Sequence, residues 1–322
     1  MAVEMEISGD ICALPEHCIA NALSLTSPKD VCRLSAVAST FRSASESDTV
    51  WERFLPSDYR DILSRAVDGS DSLVDRFDLK KDLYLHLCDN PVLIDGGRKS
   101  FSLDKTSGKK CFMLSARELY IVWGDTPAYW KWISHPESRF SEVAELIDVC
   151  WLEIRAKISI DMLSPGTNYA AYFVFNSASR MYGFEQIPAE ASLEVNGHES
   201  EKRSVSLDPE GSQRQRNQIV PRRMGWFYHR LPRIQPYQRH HHETSAATSS
   251  NEEEEEDRMI YPRRRDNDGW MEVELGEFLV HGSENGDLKL SLMEVKGANW
   301  KSGIIVEGIE IRPKKSAKNS SQ

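Results

Sequence analysis

The sequence predicts an α+β protein with several domains: a small helical head, a helical connector and an antiparallel β-sandwich of jelly-roll type. Apolar residues recur every three or four positions over residues 11–91, whereas they alternate every second position from about residue 92. Many strands with long connections after a helical start are typical of this architecture. We divide the chain into a flexible N-terminus at 1–10, a three-helix head at 11–56, a connector at 57–91, a body at 92–313 and a basic tail at 314–322.

Composition narrows the class of protein. The 322 residues carry a net charge of −10, which argues against general nucleic-acid binding. We find no run of 18 apolar residues, and the acidic N-terminus lacks the order of a signal peptide, so we expect neither membrane insertion nor secretion. The six cysteines are scattered without a Cys-x-x-Cys pair, which is typical of a reduced intracellular protein. We therefore expect a protein of the cytoplasm and nucleus, without a cofactor.

The head shows helix starts in its sequence. Pro15 fits an early position of the first helix, where its missing N–H costs nothing. Ser27 can cap the second helix and Asp30 can bond back to it, as in a capping box. A third helix carries Trp51. A head this small buries little surface alone, so its apolar face packs either on the rest of the chain or on a partner.

The order of these residues resembles an F-box. Leu-Pro at 14–15, Ser-Pro-x-Asp at 27–30, the run that ends Thr-Phe-Arg at 42 and Val-Trp at 50–51 follow the family's order. The resemblance implies docking on a Skp-type adaptor, and through it on the cullin of an SCF ubiquitin ligase, by burial of a helix face in a groove. The adaptor-binding residues that it implies are Leu14, Pro15, Ile19, Leu23, Pro28, Val31, Leu34, Val37 and Trp51.

The body reads as antiparallel strands. Residues 151–161 alternate apolar with charged, which predicts a strand with one wet face. Residues 168–176 are apolar on both faces and predict a central strand. Residues 303–312 change parity, which predicts a bulge near Glu307–Gly308. Residues 134–148 fit either a short strand or a helix.

Residues 197–268 interrupt the alternation. They hold few apolar residues and blocks of like charge, so most of the segment is expected to be a disordered surface loop. Its triple histidine at 240–242 has no second ligand at a recognised spacing, and we expect no metal site. The basic residues at 263–265 and in the tail fit nuclear signals or, more simply, solvated charge.

Aromatic residues are concentrated between Leu119 and Trp132, where a strand breaks at Gly124–Asp125. Aromatic side chains beside a turn suit stacking on a sugar ring. The simpler interpretation is that they pack at the mouth of the sandwich. These residues alone leave both open.

Residues 99–312 resemble the Nictaba-like, or phloem lectin, family. The matching blocks are Ala116–Leu119 with Tyr129–Trp132, Val143–Leu146 with Cys150–Ile154, Tyr169–Phe175, Asp268–Phe278 and Trp300–Pro313. The family is similar in binding N-acetylglucosamine oligomers and N-glycan cores with two tryptophans and acidic residues. The carbohydrate-binding residues that the resemblance implies are Trp123, Trp130, Asp287 and Glu294, where Asp287 replaces a glutamate of the family. Four further tryptophans, Trp132, Trp151, Trp270 and Trp300, are expected in the core.

Together the two resemblances imply a substrate-recognition subunit of an SCF-type ubiquitin ligase that recruits a target protein, N-glycosylated or not. Such a subunit is not an enzyme and acts by proximity. The alternative is a cytosolic or nuclear carbohydrate-binding lectin that acts outside an SCF complex. A glycoside hydrolase with Asp287 and Glu294 as its carboxylates is disfavoured, because nothing indicates a general acid.

Overall fold

The computed structural model describes residues 14–67, 73–185, 187–200, 202–211, 259–265, 268–282 and 286–314. Helices come first and antiparallel strands follow, which confirms the predicted α+β class. The helices are α1 (Glu16–Ser24), α2 (Pro28–Leu34), α3 (Ser39–Ser45), α4 (Asp48–Phe54), α5 (Tyr59–Leu63) and α6 (Lys80–Asp89). In the described part of the chain, no helix has the length and apolar content needed to cross a membrane.

The second predicted helix, whose apolar face runs from Val31 to Phe41 in the sequence, is divided into α2 and α3. Ser27 caps α2 as expected: its Oγ accepts from the Asp30 amide at 3.2 Å and donates to the Asp30 carboxylate at 2.7 Å. At the other end of α2 the hydroxyl of Ser35 donates to the Cys32 carbonyl at 2.8 Å. Ala38 is extended before α3 begins. Local bonding by serine, which competes with helix continuation, accompanies this break.

The head is joined firmly to the connector and body. The Trp51 ring is fully buried, lies 5.1 Å from the Tyr84 ring of α6, and donates from Nε1 to the Ser45 carbonyl at 2.6 Å. Tyr84 in turn donates to the Asp104 carbonyl of the body at 3.2 Å. The ammonium of Lys110 pairs with Asp58 at 2.9 Å. Apolar packing and polar contacts therefore hold the two parts in one arrangement.

The body contains two antiparallel sheets. Its strands are β1 (Val92–Ile94), β2 (Lys99–Leu103), β3 (Lys110–Ser115), β4 (Tyr120–Ile121), β5 (Trp130–Ile133), β6 (Val143–Leu146), β7 (Leu152–Ser159), β8 (Thr167–Tyr182), β9 (Ala189–Val195), β10 (His198–Glu199), β11 (Arg203–Val205), β12 (Arg263–Arg264), β13 (Met271–Val280), β14 (Asp287–Glu294) and β15 (Ser302–Pro313). Sheet A has the order β1-β2-β3-β15-β8-β13-β12, with β6 on β15 and β5 on β6. Sheet B has the order β10-β9-β14-β7-β4, with β11 on β9.

The strand predictions hold in the details that position the functional surfaces. β7 buries Ile154 and Ile158 and exposes Arg155 and Lys157, so one face is wet. β8 is central, between β13 and β15. The predicted bulge is present as a register shift between Val306 and Gly308. The undecided segment 134–148 contains a strand, β6.

The flanks of the segment 197–268 belong to the sheets. β10 and β11 pair with β9, and β12 pairs with β13. The amide of Ser206 donates to the Ile260 carbonyl at 2.8 Å, which ties the two flanks together. Residues 212–258 lie outside the described residues, so the disorder prediction for them stays a prediction, as does any role of the triple histidine.

Candidate functional surfaces

The nine residues predicted to bind the adaptor fall into two groups. Leu14, Pro15 and Val37 are exposed, and Leu34 is half-buried. The other five are buried: Ile19, Leu23, Pro28, Val31 and Trp51. A side chain without accessible surface cannot contact a partner in this conformation. We therefore correct the role of these five residues: they pack inside the head and support the exposed residues. The contact with the adaptor stays a prediction.

Leu25 is an exposed apolar residue that the sequence analysis missed. It follows the last residue of α1 and is 70% exposed, like Val37 at 71% in the turn between α2 and α3. The periodicity of α1 ends at Leu23, so helical spacing gave no reason to include Leu25. We use the name apolar tip for the exposed apolar residues of the head: Leu14 and Pro15 before α1, Leu25 after it, and Val37 between α2 and α3.

The two tryptophans predicted to bind sugar lie in different environments. Trp123 follows β4, is 43% exposed, and its ring lies 5.3 Å from that of Tyr129. Its φ of 59° starts a turn in which the amide of Thr126 donates to the Trp123 carbonyl at 2.8 Å. Trp130 lies in β5 and is buried in the core. Only Trp123 presents a ring face to solvent, so a direct stacking role for Trp130 does not fit this structure.

Glu294 is also buried. Its carboxylate pairs with the ammonium of Lys301, and it accepts from the amide of Gly297 at 3.0 Å. Lys301 is fully buried as well and donates to the Asn299 carbonyl at 2.6 Å. Desolvation by burial lowers the pKa of Lys301. This pair holds the connection between β14 and β15 and leaves no free carboxylate for a hydroxyl group.

The four predicted carbohydrate residues do not form one site. Asp287 and Glu294 begin and end β14, seven positions apart, which corresponds to roughly 23 Å along the strand. Because seven is odd, their side chains point to opposite faces of sheet B. Asp287 is on the outer face, where its carboxylate pairs with Lys157 at 2.8 Å. The prediction that both carboxylates contact one ligand is wrong for that geometric reason. The same separation argues against Asp287 and Glu294 as the paired carboxylates of a glycoside hydrolase.

Two tryptophans expected in the core are exposed instead. Trp151 is 42% exposed and donates from Nε1 to the Glu153 carboxylate at 2.8 Å. It shares the parity of Glu153 and Arg155, the charged face of β7, and this parity in the sequence could have revealed it. Trp300, which precedes Lys301, is also exposed, and no alternation in the sequence indicated this exposure. Trp132 is half-buried and Trp270 is fully buried.

The outer face of sheet B forms a groove of 840 Å³, which we call the sheet B groove. The strand register places one row of side chains across it: Tyr120 of β4 opposite Arg155 of β7, then Ser291 of β14, then Ser192 of β9. Asp287 lines the same groove. Of the four residues implied by the lectin resemblance, Asp287 alone does so. Among the described residues, no cluster of three His, Cys, Asp or Glu side chains could hold a metal ion.

Comparisons with known proteins bear on both parts of the chain. The F-box domain model matches residues 11–53, and the Phloem protein 2 model matches residues 109–313. F-box protein PP2-B1 of Arabidopsis thaliana is 43% identical over 94% of this chain and 90% of its own length. The chain belongs to the F-box proteins with a phloem protein 2 domain.

Other relatives agree with this family. The Arabidopsis thaliana F-box protein PP2-B10 is 40% identical over 94% of both chains, and PP2-B15 is 42% identical over 94% of this chain and 96% of its own length. Among solved structures, a family GH115 4-O-methyl-alpha-glucuronidase covers 93% of this chain and 33% of its own, with 10% identity and a TM-score of 0.28. A score this low carries no argument.

The outer face of sheet A in the phloem protein 2 domain is partly covered. Trp270 is buried there with Phe140, and its Nε1 donates to the Glu137 carbonyl at 3.1 Å. Beside this cluster Glu272 accepts from Arg312 at 2.6 Å and from Arg263 at 2.8 Å. Burial opposes the ionisation of Glu272, but Arg312 and Arg263 outweigh it and lower its pKa. These pairs serve the fold, and the same face carries a second groove, of 660 Å³, lined by Tyr172, Glu310 and Arg312 among others.

Proposed function

We propose that this F-box protein is the substrate receptor of an SCF-type ubiquitin ligase, docked on a Skp-type adaptor and through it on a cullin. The observation that carries the proposal is the apolar tip, because Leu25 and Val37 expose most of their surface on a small head of F-box sequence. Exposed apolar side chains of this kind are typical of a surface that a partner covers. The receptor carries out no chemistry; it holds a target near the transferring enzyme.

The junction of head and body supports this role. Trp51, Tyr84 and the Lys110–Asp58 pair hold the phloem protein 2 domain in one arrangement relative to the head. The effective concentration of a bound target is highest when the connection between the two binding parts matches the distance that it must span. A target bound to the body is then presented at a constant distance from the adaptor.

We propose further that the body recruits its target through an N-acetylglucosamine-containing glycan. Trp123 and Tyr129 offer aromatic faces, and the exposed ring of Trp151 adds a third near the exposed guanidinium of Arg155, with which it shares the Glu153 carboxylate. Aromatic faces cover the apolar side of a sugar while charged groups bond its hydroxyls. A lectin acting outside an SCF complex uses the same surface, and adaptor binding distinguishes the two. The proposal places the protein in the cytoplasm and nucleus.

The test is co-purification of the full chain with a recombinant Skp-type adaptor. We expect Leu25→Glu combined with Val37→Glu to abolish it, because two charges are placed in an apolar contact. Leu279→Glu, at a residue 46% exposed in the body, is the matched control and should leave co-purification unchanged. Unchanged adaptor binding by the double variant would exclude the apolar tip, and a wild-type chain that binds no adaptor would leave the lectin alternative.

A further inference from the structure

The sheet B groove crosses four strands, β9, β14, β7 and β4. Neighbouring strands lie about 4.8 Å apart, so the row from Ser192 to Tyr120 spans roughly 14 Å. The volume of the groove, 840 Å³, is within the range of small-molecule sites. A groove of this length accommodates a chain of rings better than a single ring.

Charged side chains line the groove in pairs that are already neutralised. Each ammonium group meets a carboxylate from a neighbouring strand or edge, so the wall presents alternating donors and acceptors with little net charge. The pairs are Lys157–Asp287, Lys289–Glu194 and Lys202–Glu190, with N–O distances of 2.8, 2.7 and 2.8 Å.

This arrangement favours a neutral polyhydroxyl ligand. Two adjacent hydroxyls of a sugar can donate to the carboxylate and accept from the ammonium of one pair without separating them. A phosphate, or a peptide rich in one charge, would be attracted by one partner of each pair and repelled by the other, so it would gain little net electrostatic attraction. Neutral polyols add hydrogen bonds at both partners and break none.

The two ends of the row supply the remaining features of a sugar site. At the β9 end the hydroxyls of Ser192 and Ser291 lie 2.8 Å apart, and either can donate. At the β4 edge Tyr120 is 63% exposed and presents a flat ring. Trp123 follows three residues later, at most about 10 Å along the chain. The groove and the exposed tryptophan are therefore near enough for one extended ligand.

We propose that the sheet B groove is an extension site for a neutral oligosaccharide, with Tyr120 as the stacking platform and Ser192, Ser291 and the Lys157–Asp287 pair as its polar contacts. This inference rests on the proposed glycan recognition and names residues beyond those that the lectin resemblance implies. A short glycan occupies the Trp123 end alone, and a longer one also fills the groove.

The experiment is calorimetric titration of the full chain with N-acetylglucosamine trimer and hexamer. We expect the hexamer to bind wild type roughly tenfold more tightly than the trimer, the value of one added stacking contact. Tyr120→Ala should remove this gain and leave trimer binding unchanged. Tyr120→Phe should retain most of the gain because it keeps the ring, and Leu279→Ala in sheet A should behave as wild type.

The outcomes separate this inference from the proposed function. A length gain that survives Tyr120→Ala would overturn the groove proposal and leave glycan binding at Trp123 intact. Absence of any binding by wild type would overturn both glycan claims, and adaptor co-purification would still test the ubiquitin-ligase role. If a mixed-charge peptide binds the groove instead, with an affinity that falls steeply as salt rises, the neutral-ligand argument is wrong.

Discussion

Sheet A and sheet B both carry cross-strand ion pairs on their outer faces, but they differ in how deeply the carboxylates of these pairs are buried. On sheet A, Glu272 and Glu310 have side chains that are 5% and 10% exposed, beneath Arg263, Arg265 and Arg312. On sheet B, Asp287 and Lys157 are open to solvent. The loop between β5 and β6 covers the part of sheet A where Trp270 and Phe140 are buried, and a groove of 660 Å³ opens beside it. The described elements leave the face of sheet B open.

This difference in exposure determines whether an ion pair stabilises the fold or is available to a ligand. A covered pair must keep both partners, since removing one leaves an uncompensated buried charge. An exposed pair contributes little to stability and remains available to a ligand. We therefore expect substitutions on sheet A to change folding, and substitutions on sheet B to change binding.

The largest expected effect contrasts the two tryptophans seven residues apart. Trp130 lies in sheet A and is buried, so Trp130→Ala should lower the free energy of unfolding by roughly 3–5 kcal/mol. Trp123 follows β4 of sheet B and is exposed, so Trp123→Ala should leave the melting temperature nearly unchanged and abolish binding of the N-acetylglucosamine trimer. Thermal melts and titrations of both variants measure this. A stable Trp130→Ala protein that loses trimer binding would contradict the contrast.

Sequence reasoning reached the helices, the sandwich and the central strand because periodicity reports one buried face per element. It failed for individual side chains whose exposure depends on other elements. Trp130 and Trp123 lie in one aromatic window, and only the pairing of β5 with β6 buries the former. Glu294 matched a family carboxylate, yet it is buried and paired with Lys301, which lies seven positions later at the end of the connection from β14 to β15. Trp151 was the exception, since its parity with Glu153 was readable in the sequence.

A second prediction tests the cover on sheet A. Glu272→Gln should destabilise the protein by roughly 3 kcal/mol at neutral pH, because Arg312 and Arg263 lose their shared carboxylate. The folded-state pKa of Glu272 is lowered from 4.5, so its contribution is present above that ordinary value and is lost as pH falls through the lowered one. Melting curves of variant and wild type should therefore converge in acid. A constant difference down to low pH would show that the charge is not the cause.

Glu307 on sheet A should change stability with pH in the opposite direction to Glu272. It is 1% exposed; its Oε1 accepts from the Arg139 amide at 3.1 Å, and its Oε2 is buried without a partner. Burial raises its pKa above 4.5, although Arg139 and Arg265 act against the rise. The folded state then holds its proton more tightly than the unfolded chain, so stability falls as pH rises through this range.

We expect Glu307→Gln to raise the free energy of unfolding by roughly 1 kcal/mol at neutral pH, since a neutral amide is cheaper to bury than a carboxylate. Below the ordinary pKa of 4.5 the advantage should vanish, because both states of the wild type are then protonated. Urea unfolding at neutral and acid pH measures both. A destabilised variant at neutral pH would mean that Glu307 is ionised and held by Arg139.

The smallest effect on stability is expected at Asp287, the counterpart of Glu272 on the open sheet. Asp287→Asn breaks the exposed pair with Lys157 and should change the free energy of unfolding by less than about 1 kcal/mol, in contrast to Glu272→Gln. Its effect should appear in binding instead: the amide no longer balances Lys157, so the hexamer should lose part of its advantage over the trimer. Asp287→Glu keeps the charge and lengthens the reach, and should preserve the advantage. Equal destabilisation by Asp287→Asn and Glu272→Gln in parallel melts would show that burial of the carboxylate does not determine how much these pairs contribute to stability.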